Sequence, residues 1–399
     1  MALDVARIRG LFPALGDGWI HLDTPTGMQV PDKVATAVSM ALRAPVSGLG
    51  GVFPASQRAA ALVEAARRAI ADLVGADPAG VVLGPSSAVL LNRLAEVLSV
   101  GWLIGDEVVV SRLDDPANTL PWLAAVQRCG GTARWAEVDI ETCELPAWQY
   151  DELVTPRTKV VAITAASGTV GTRPDLRRIS TAGRDAGALV VVDASAAAPF
   201  VPLDVTMMGA DIITVSASAW GGPPLAAMAF RDAGLLDRVA SRSLDPEARG
   251  PERLELGPQP YPLLAGLVAS VDYLAELDDA ALGPRRERVL TSMGSIRAYH
   301  ADLLANLISE LRALPNVMVI GDAVDRVPTL AFASLGMKAE DAAEQLAKRG
   351  ICAFADSGRN GVLAALGVGE AGGSVRIGLA HYTTSAELDH LVRAVADLS

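Results

Sequence analysis

Hydrophobic positions along the chain follow two patterns. Ser56–Val74 carries Ala59, Leu62, Val63, Ala66, Ile70 and Leu73 at three- and four-residue spacings, which predicts an amphipathic helix. Elsewhere short β-branched runs end in polar or small residues: Val81–Leu83, Glu107–Ser111, Thr132–Glu137, Lys159–Thr164, Leu189–Val192 and Ile212–Val215. Unbroken apolar runs of that length read as strands covered on both faces, the signature of a largely parallel sheet. Helical stretches fall around them, at Asp32–Leu42 (with Pro31 at the first helical position), Val89–Val100, Asn118–Arg128, Trp148–Leu153 and Leu176–Asp185. Strands alternating with helices predict a three-layer α/β unit.

The pattern then changes. A Gly/Pro-spaced stretch, Pro246–Pro262, leads into helices near Leu263–Leu277 and Arg285–Leu314. Period-two runs at Val317–Ile320 and Thr329–Ala333, a helix at Ala339–Arg349, strands at Cys352–Ala355 and Ser374–Ile377, and a helix at Ser385–Leu398 complete a smaller α+β unit. The reading therefore divides the chain into an arm, 1–18, packing on the small domain, a large α/β domain, 19–262, and a small α+β domain, 263–399, entered through a linking helix at 263–284.

In open sheets of this type ligands gather outside the carboxyl ends of the strands. Asp193, directly after Leu189–Val192, and the loop Ser216-Ala217-Ser218-Ala219-Trp220-Gly221-Gly222-Pro223, after Ile212–Val215, both sit at such ends. A third candidate is Gly84-Pro85-Ser86-Ser87, between a strand and a helix, where free N–H groups and two hydroxyls suit an anion. Ser86 or Ser87 could equally do no more than cap the helix. Asp114 and Asp115 stand side by side in another such loop.

Composition narrows the possible partners. A net charge of −12, with no local basic block to offset it, argues against nucleic acid and acidic membranes. No apolar run approaches the ~18 residues of a membrane span, and no secretory signal is visible. Cys129, Cys143 and Cys352 are few and widely spaced, which favours thiols in a reduced, cytoplasmic setting, and no metal site is expected. The four lysines are Lys33, Lys159, Lys338 and Lys348.

In order and spacing, His21-Leu22-Asp23, Asp193, the loop 216–223, Arg253-Leu254-Glu255-Leu256-Gly257 and Val375-Arg376-Ile377-Gly378 followed by Tyr382-Thr383-Thr384 resemble the class V aminotransferases and cysteine desulfurase-like proteins. These are fold-type-I pyridoxal phosphate enzymes. The resemblance covers nearly the whole chain and implies a homodimer whose large domain holds a mainly parallel seven-stranded sheet. It also implies roles. Asp193 would pair with the pyridine nitrogen, Ser86, Ser87, Ser216 and Ser218 would lie about the cofactor, and Arg376 would clamp a substrate carboxylate. His21 and His381 flank the expected site loops.

At the position of the Schiff-base lysine, however, stands Ala219, and a methyl group forms no imine. Asp115 replaces the stacking histidine, Gly168 an asparagine, Ala196 a glutamine, Ser218 a histidine and Pro258 a phosphate-binding threonine contributed across the dimer. The desulfurase loop cysteine is absent from the segment after Cys352. No cofactor is therefore expected to be covalently bound. The leading expectation is a degenerate member binding a small carboxylate or phosphate, an amino acid, or a protein partner. The alternative is an aminotransferase, lyase or desulfurase-like enzyme holding pyridoxal phosphate noncovalently. A third reading gives the old cleft different chemistry, with Asp114, Asp115, His21 or His381 as acid or base.

Overall fold

The computed structural model describes residues 3–359 and 361–398; Met1, Ala2, Asn360 and Ser399, at the ends of the expected arm, desulfurase-loop segment and last domain, lie outside the described residues. Its strands are β1 (Ile20–His21), β2 (Val81–Gly84), β3 (Glu107–Ser111), β4 (Thr132–Ala136), β5 (Thr158–Thr164), β6 (Leu189–Asp193), β7 (Ile212–Ser216), β8 (Ala226–Phe230), β9 (Val317–Ile320), β10 (Thr329–Ser334), β11 (Ile351–Cys352), β12 (Phe354–Asp356) and β13 (Ser374–Gly378). The helices are α1 (Val5–Arg9), α2 (Asp32–Arg43), α3 (Pro54–Val74), α4 (Ser87–Leu98), α5 (Pro116–Arg128), α6 (Tyr150–Leu153), α7 (Leu176–Asp185), α8 (Leu235–Arg238), α9 (Tyr261–Ala275), α10 (Arg285–Arg312), α11 (Ala339–Ala347), α12 (Gly361–Ala365) and α13 (Ser385–Ala396).

Seven strands form one sheet in the order β2-β8-β7-β6-β5-β3-β4. It is parallel from β7 to β4, and β8 runs antiparallel to both of its neighbours. The unbroken apolar runs have a direct cause. Along β5, β6 and β7, Val161, Ile163, Val190, Val192, Ile213 and Val215 enter one core layer. Val160, Ala162, Val191 and Ile212 enter the other, with Leu90, Leu91 and Leu94 of α4 and Trp122 of α5. A strand covered on both faces has no solvent side to carry polar residues.

A second, antiparallel sheet has the order β12-β13-β10-β9 and packs its apolar side on α10, α11 and α13. Residues of the N-terminal arm reach the C-terminal part of the chain: Arg9 donates to the Tyr382 carbonyl at 2.6 Å and to both oxygens of Glu387 at 2.8 and 2.9 Å. Glu387 also completes the capping box of α13 with Thr384. Among the described residues no helix is long and apolar enough to cross a membrane.

The structure departs from the sequence reading at the short helices α8 and α12, which the pattern did not give, and at three further points. Strand β8 was not anticipated: Ala-Ala-Met-Ala-Phe has weak strand propensity, and its place between β2 and β7 is set by tertiary packing. Pro31 is the residue before α2 in extended backbone rather than its first helical residue. The run Cys352–Ala355 is split between two short strands, with β11 pairing β1 and β12 joining the antiparallel sheet.

Candidate active-site cavity

The strand ends surround a cavity of about 340 Å³. Thr164, Asp193 and Ser216 reach it from the carboxyl ends of β5, β6 and β7, and Ser87 from the first turn of α4. Asp115, Pro116 and Ala117 enter from the start of α5, and Thr24–Gly27 from the loop after β1. Arg376, Asp356 and Thr329 close it from the antiparallel sheet.

Asp193 is 8% exposed. Its Oδ1 accepts from the Ser195 amide at 3.0 Å, the Ser195 hydroxyl at 2.7 Å and the Thr214 hydroxyl at 3.3 Å, and Oδ2 has no hydrogen-bond partner among the described residues. Burial raises its pKa above the ordinary carboxylate value, and the Ser195 bonds oppose that shift. Asp114, almost fully enclosed on the same wall, is the sequence candidate that stands beside Asp115 and was offered with it as an acid or base. Asn118 Nδ2 donates to its Oδ1 at 2.7 Å, and its Oδ2 shares a short hydrogen bond with the Ser111 hydroxyl. Burial raises the Asp114 carboxyl to about 8; these two bonds pull it down, and the charges of Asp193 and Asp115 push it further up. Ser111 and Asn118, three residues before and four after it, were the available sequence signal.

The Ala219 loop is a single turn of 3-10 helix, Ala217–Trp220. It ends at Gly221 with φ 82°, where an added Cβ would stand 2.5 Å from the Gln29 carbonyl oxygen. Ser218 reaches back to Ser216, with their hydroxyls 3.1 Å apart. Ala219 borders the cavity, whereas Trp220 turns into the core and donates its indole N–H to Ser270 at 3.0 Å. Gly168 and Ala196 lie side by side in the wall and form an apolar patch there.

Asp115, Asp193, Ser87, Ser216, Ser218, Ala219 and Arg376 thus line one cavity. Ser86 is not among the lining residues. Its hydroxyl accepts from the Val89 amide at 3.2 Å and caps α4. Asp115 likewise caps α5, accepting from the Ala117 amide at 2.8 Å. His381 lies behind the wall with no exposure. Its Nε2 donates to the Pro199 carbonyl at 2.6 Å and its Nδ1 lies 2.9 Å from the Tyr273 hydroxyl, while burial, with the nearby His300, lowers its pKa to about 3. That histidine is a neutral packing element at physiological pH. His21 also lies off the cavity wall, between Asp17 and Gln29.

The charge balance of the wall is unusual for an anion site. It holds four carboxyl groups (Asp114, Asp115, Asp193 and Asp356) and one cation, Arg376, and no lysine, histidine or cysteine is among the lining residues. Arg376 and Asp356, both in this wall, form no ion pair with each other. Arg376 has no hydrogen bond or ion pair to a described residue, and its Nε is buried without a partner. The lysines are engaged elsewhere: Lys33 with Glu276 at 2.6 Å, Lys159 with Asp106 at 3.4 Å and Lys348 with Glu344 at 2.8 Å, while Lys338 precedes α11.

Comparison with known proteins agrees with this architecture. The chain is 52% identical, over the full length of both sequences, to the Mycobacterium tuberculosis (strain CDC 1551 / Oshkosh) protein called uncharacterized protein MT3887. It is 28% identical to the cysteine desulfurase CsdA of Escherichia coli K12, covering 98% of this chain and 96% of that one. A crystal structure of Escherichia coli CsdA in an S-sulfonic acid form superposes with a TM-score of 0.84 at 25% identity, over 99% of this chain and 98% of the other. The family model described as aminotransferase class-V matches residues 20–391, and the chain belongs to that family.

Proposed function

We propose that this chain is a class V family member without Schiff-base chemistry, a cytoplasmic homodimer whose cavity binds a small amino carboxylate such as a free amino acid. The observation that carries this reading is the wall itself: Ala219 where the family has its lysine, and no primary amine among the lining residues.

Pyridoxal phosphate, the group the family implies, does not fit these residues. An imine needs an amine, and the wall offers none. A phosphate dianion is favoured by positive charge, yet Arg376, the one cation among the lining residues, shares the wall with the acidic side chains of Asp115, Asp193 and Asp356. The same balance disfavours the alternative enzyme with a noncovalently held cofactor, and no chemical step is routed through that group.

An amino carboxylate matches the wall at both ends. The unpaired guanidinium of Arg376 can take a carboxylate bidentately, and its buried Nε has an unfilled hydrogen-bond need. An ammonium group would be met by Asp193, whose Oδ2 is unpartnered, and by Asp115 at the mouth. A second reading rests on Asp114. A carboxyl group still protonated near neutral pH beside Asp193 has the form of an acid/base pair for other chemistry in the same cleft.

Calorimetric titration with the common amino acids tests the proposal. Binding should weaken by about 10-fold or more in Arg376→Ala, as expected for loss of a charge-assisted bond of about 1.5–3 kcal/mol. Absence of binding by any amino acid, or a pyridoxal phosphate adduct fixed to the unaltered chain by borohydride, would overturn it.

A further inference from the structure

Away from the cavity, the parallel pairing of β1 with β11 places His21 directly beside Cys352. Asp23 follows two residues after His21. One ligand atom from each of His21, Asp23 and Cys352 lies within 4.8 Å of the other two, and all three residues are partly buried. We propose that these residues form a binding site for a thiophilic divalent cation of the zinc type, with Asp17 positioning the histidine.

Three observations converge on this site. The donor set is one imidazole, one carboxylate and one thiol, a mixture that suits zinc and its neighbours and is wrong for magnesium or calcium, which take oxygen. The histidine also has the tautomer a metal requires. The Asp17 carboxylate can only accept, so His21 Nε2, 3.2 Å away, bears the proton. The Gln29 side-chain nitrogen, 3.2 Å from Nδ1, can only donate, so Nδ1 keeps its lone pair. Finally, Nδ1 is also the ring atom facing Asp23, whose Oδ1 is 3.9 Å distant.

The resulting order, carboxylate to Nε2–H and Nδ1 to metal, is the arrangement by which outer carboxylates orient metal-binding histidines. Bond lengths of zinc sites put tetrahedral ligand atoms about 3.3–3.6 Å apart. Closure from the present spacing therefore needs rotamer-scale movement and withdrawal of the Gln29 amide. A water or a second atom of Gln29 could fill the fourth position. Spacing along the sequence could not reveal this group, because Cys352 is joined to His21 only by strand pairing. The site would clamp β1 to β11 beside Thr24–Gly27, which forms one rim of the cavity.

The test uses the full chain, stripped with a chelator and kept reduced, and titrated with Co²⁺ and then Zn²⁺ alone. One Co²⁺ per chain should bind with a sulfur-to-cobalt charge-transfer band in the near ultraviolet, displaced by Zn²⁺. Cys352→Ser should abolish that band, whereas Cys129→Ser should leave it intact. His21→Ala should weaken Zn²⁺ binding at least 10-fold. Asp17→Asn should retain the band and weaken affinity by about 10- to 100-fold, the range for removal of an orienting carboxylate. A parent protein with no charge-transfer band, or a band that survives Cys352→Ser, would overturn the proposal without reliance on any variant that folds poorly.

Discussion

Asp114 offers a direct physical test of the cavity's electrostatics. In an unfolded chain its carboxyl group would lose its proton near 3.8, whereas in the folded protein burial holds that proton up to about 8. Between those pH values the native state binds more protons than the unfolded state, so stability falls as pH rises. Below pH 4 both states are protonated and the effect is absent; above pH 8 both have lost the proton and the loss is complete. Each pH unit within the window is worth about 1.4 kcal/mol, giving up to about 4 kcal/mol between pH 5 and 8.

Asp114→Asn should remove this slope while preserving the local bonds. Its amide oxygen can still accept from Asn118, and the Ser111 hydroxyl, which donates to Asp114 Oδ2 in the parent, can turn to accept from the new amide nitrogen. The buried histidines do not interfere with the comparison. His300 and His381 have pKa values lowered to about 4 and about 3 by burial, so they bind fewer protons in the native state and make stability rise with pH up to 6.5. That contribution is common to both proteins. Urea unfolding of parent and variant at half-unit pH steps is the assay, and the quantity to plot is the difference in unfolding free energy. The variant should gain steadily on the parent from pH 5 to 8. Parallel profiles would show that Asp114 is ionised in the folded protein at neutral pH, and the reasoning would fail.

Two further outcomes are expected. Ala219→Lys should give a weak adduct with pyridoxal phosphate that mass spectrometry detects after borohydride, without efficient turnover, because Asp115 offers no planar stacking surface and Gly168 no side-chain donor; an unlabelled variant would mean that the loop directs this side chain away from the cavity. Sedimentation should show a dimer at micromolar concentration, with 46–52 and 253–260 at the interface, where Leu49, Val52 and Leu256 are exposed; a monomer would refute that assembly.

The legible part of the fold was the part where local chemistry and tertiary packing agree. β3, β5, β6 and β7 are β-branched and buried on both faces, so their strands could be placed from short windows. Ala226–Phe230 gave no such signal because alanine there is selected by close packing rather than strand preference. At the site, the loop ends carrying Asp193, Ser216 and Ala219 followed from sheet geometry, and the structure places them on one cavity. Ser86 and Ser87 shared one sequence environment, yet only Ser87 reaches that wall, a distinction made by one capping bond. His381 flanks the expected site loops, where a hydrogen-bonded structural histidine and an acid or base were both open. Its bonds to Tyr273 and Pro199, which no local window contains, hold it behind the wall.

The antiparallel strand β8 has a consequence for how the molecule is made. β2 is an edge strand whose sole partner in the large sheet is β8, so its backbone stays unpaired until Ala226–Phe230 has been synthesised. β5, β6 and β7 can already assemble side by side while that segment is still emerging. The helix launched from β2, with Ser87 in its first turn, is among the earliest parts of the chain to be made and among the last to be seated. Loop closure over that separation makes the step slow, and it leaves a Val-Val-Leu edge open to other chains in the interval. A stalled or truncated product ending before β8 would therefore be prone to aggregate even with Asp114, Asp115 and Asp193 already in place.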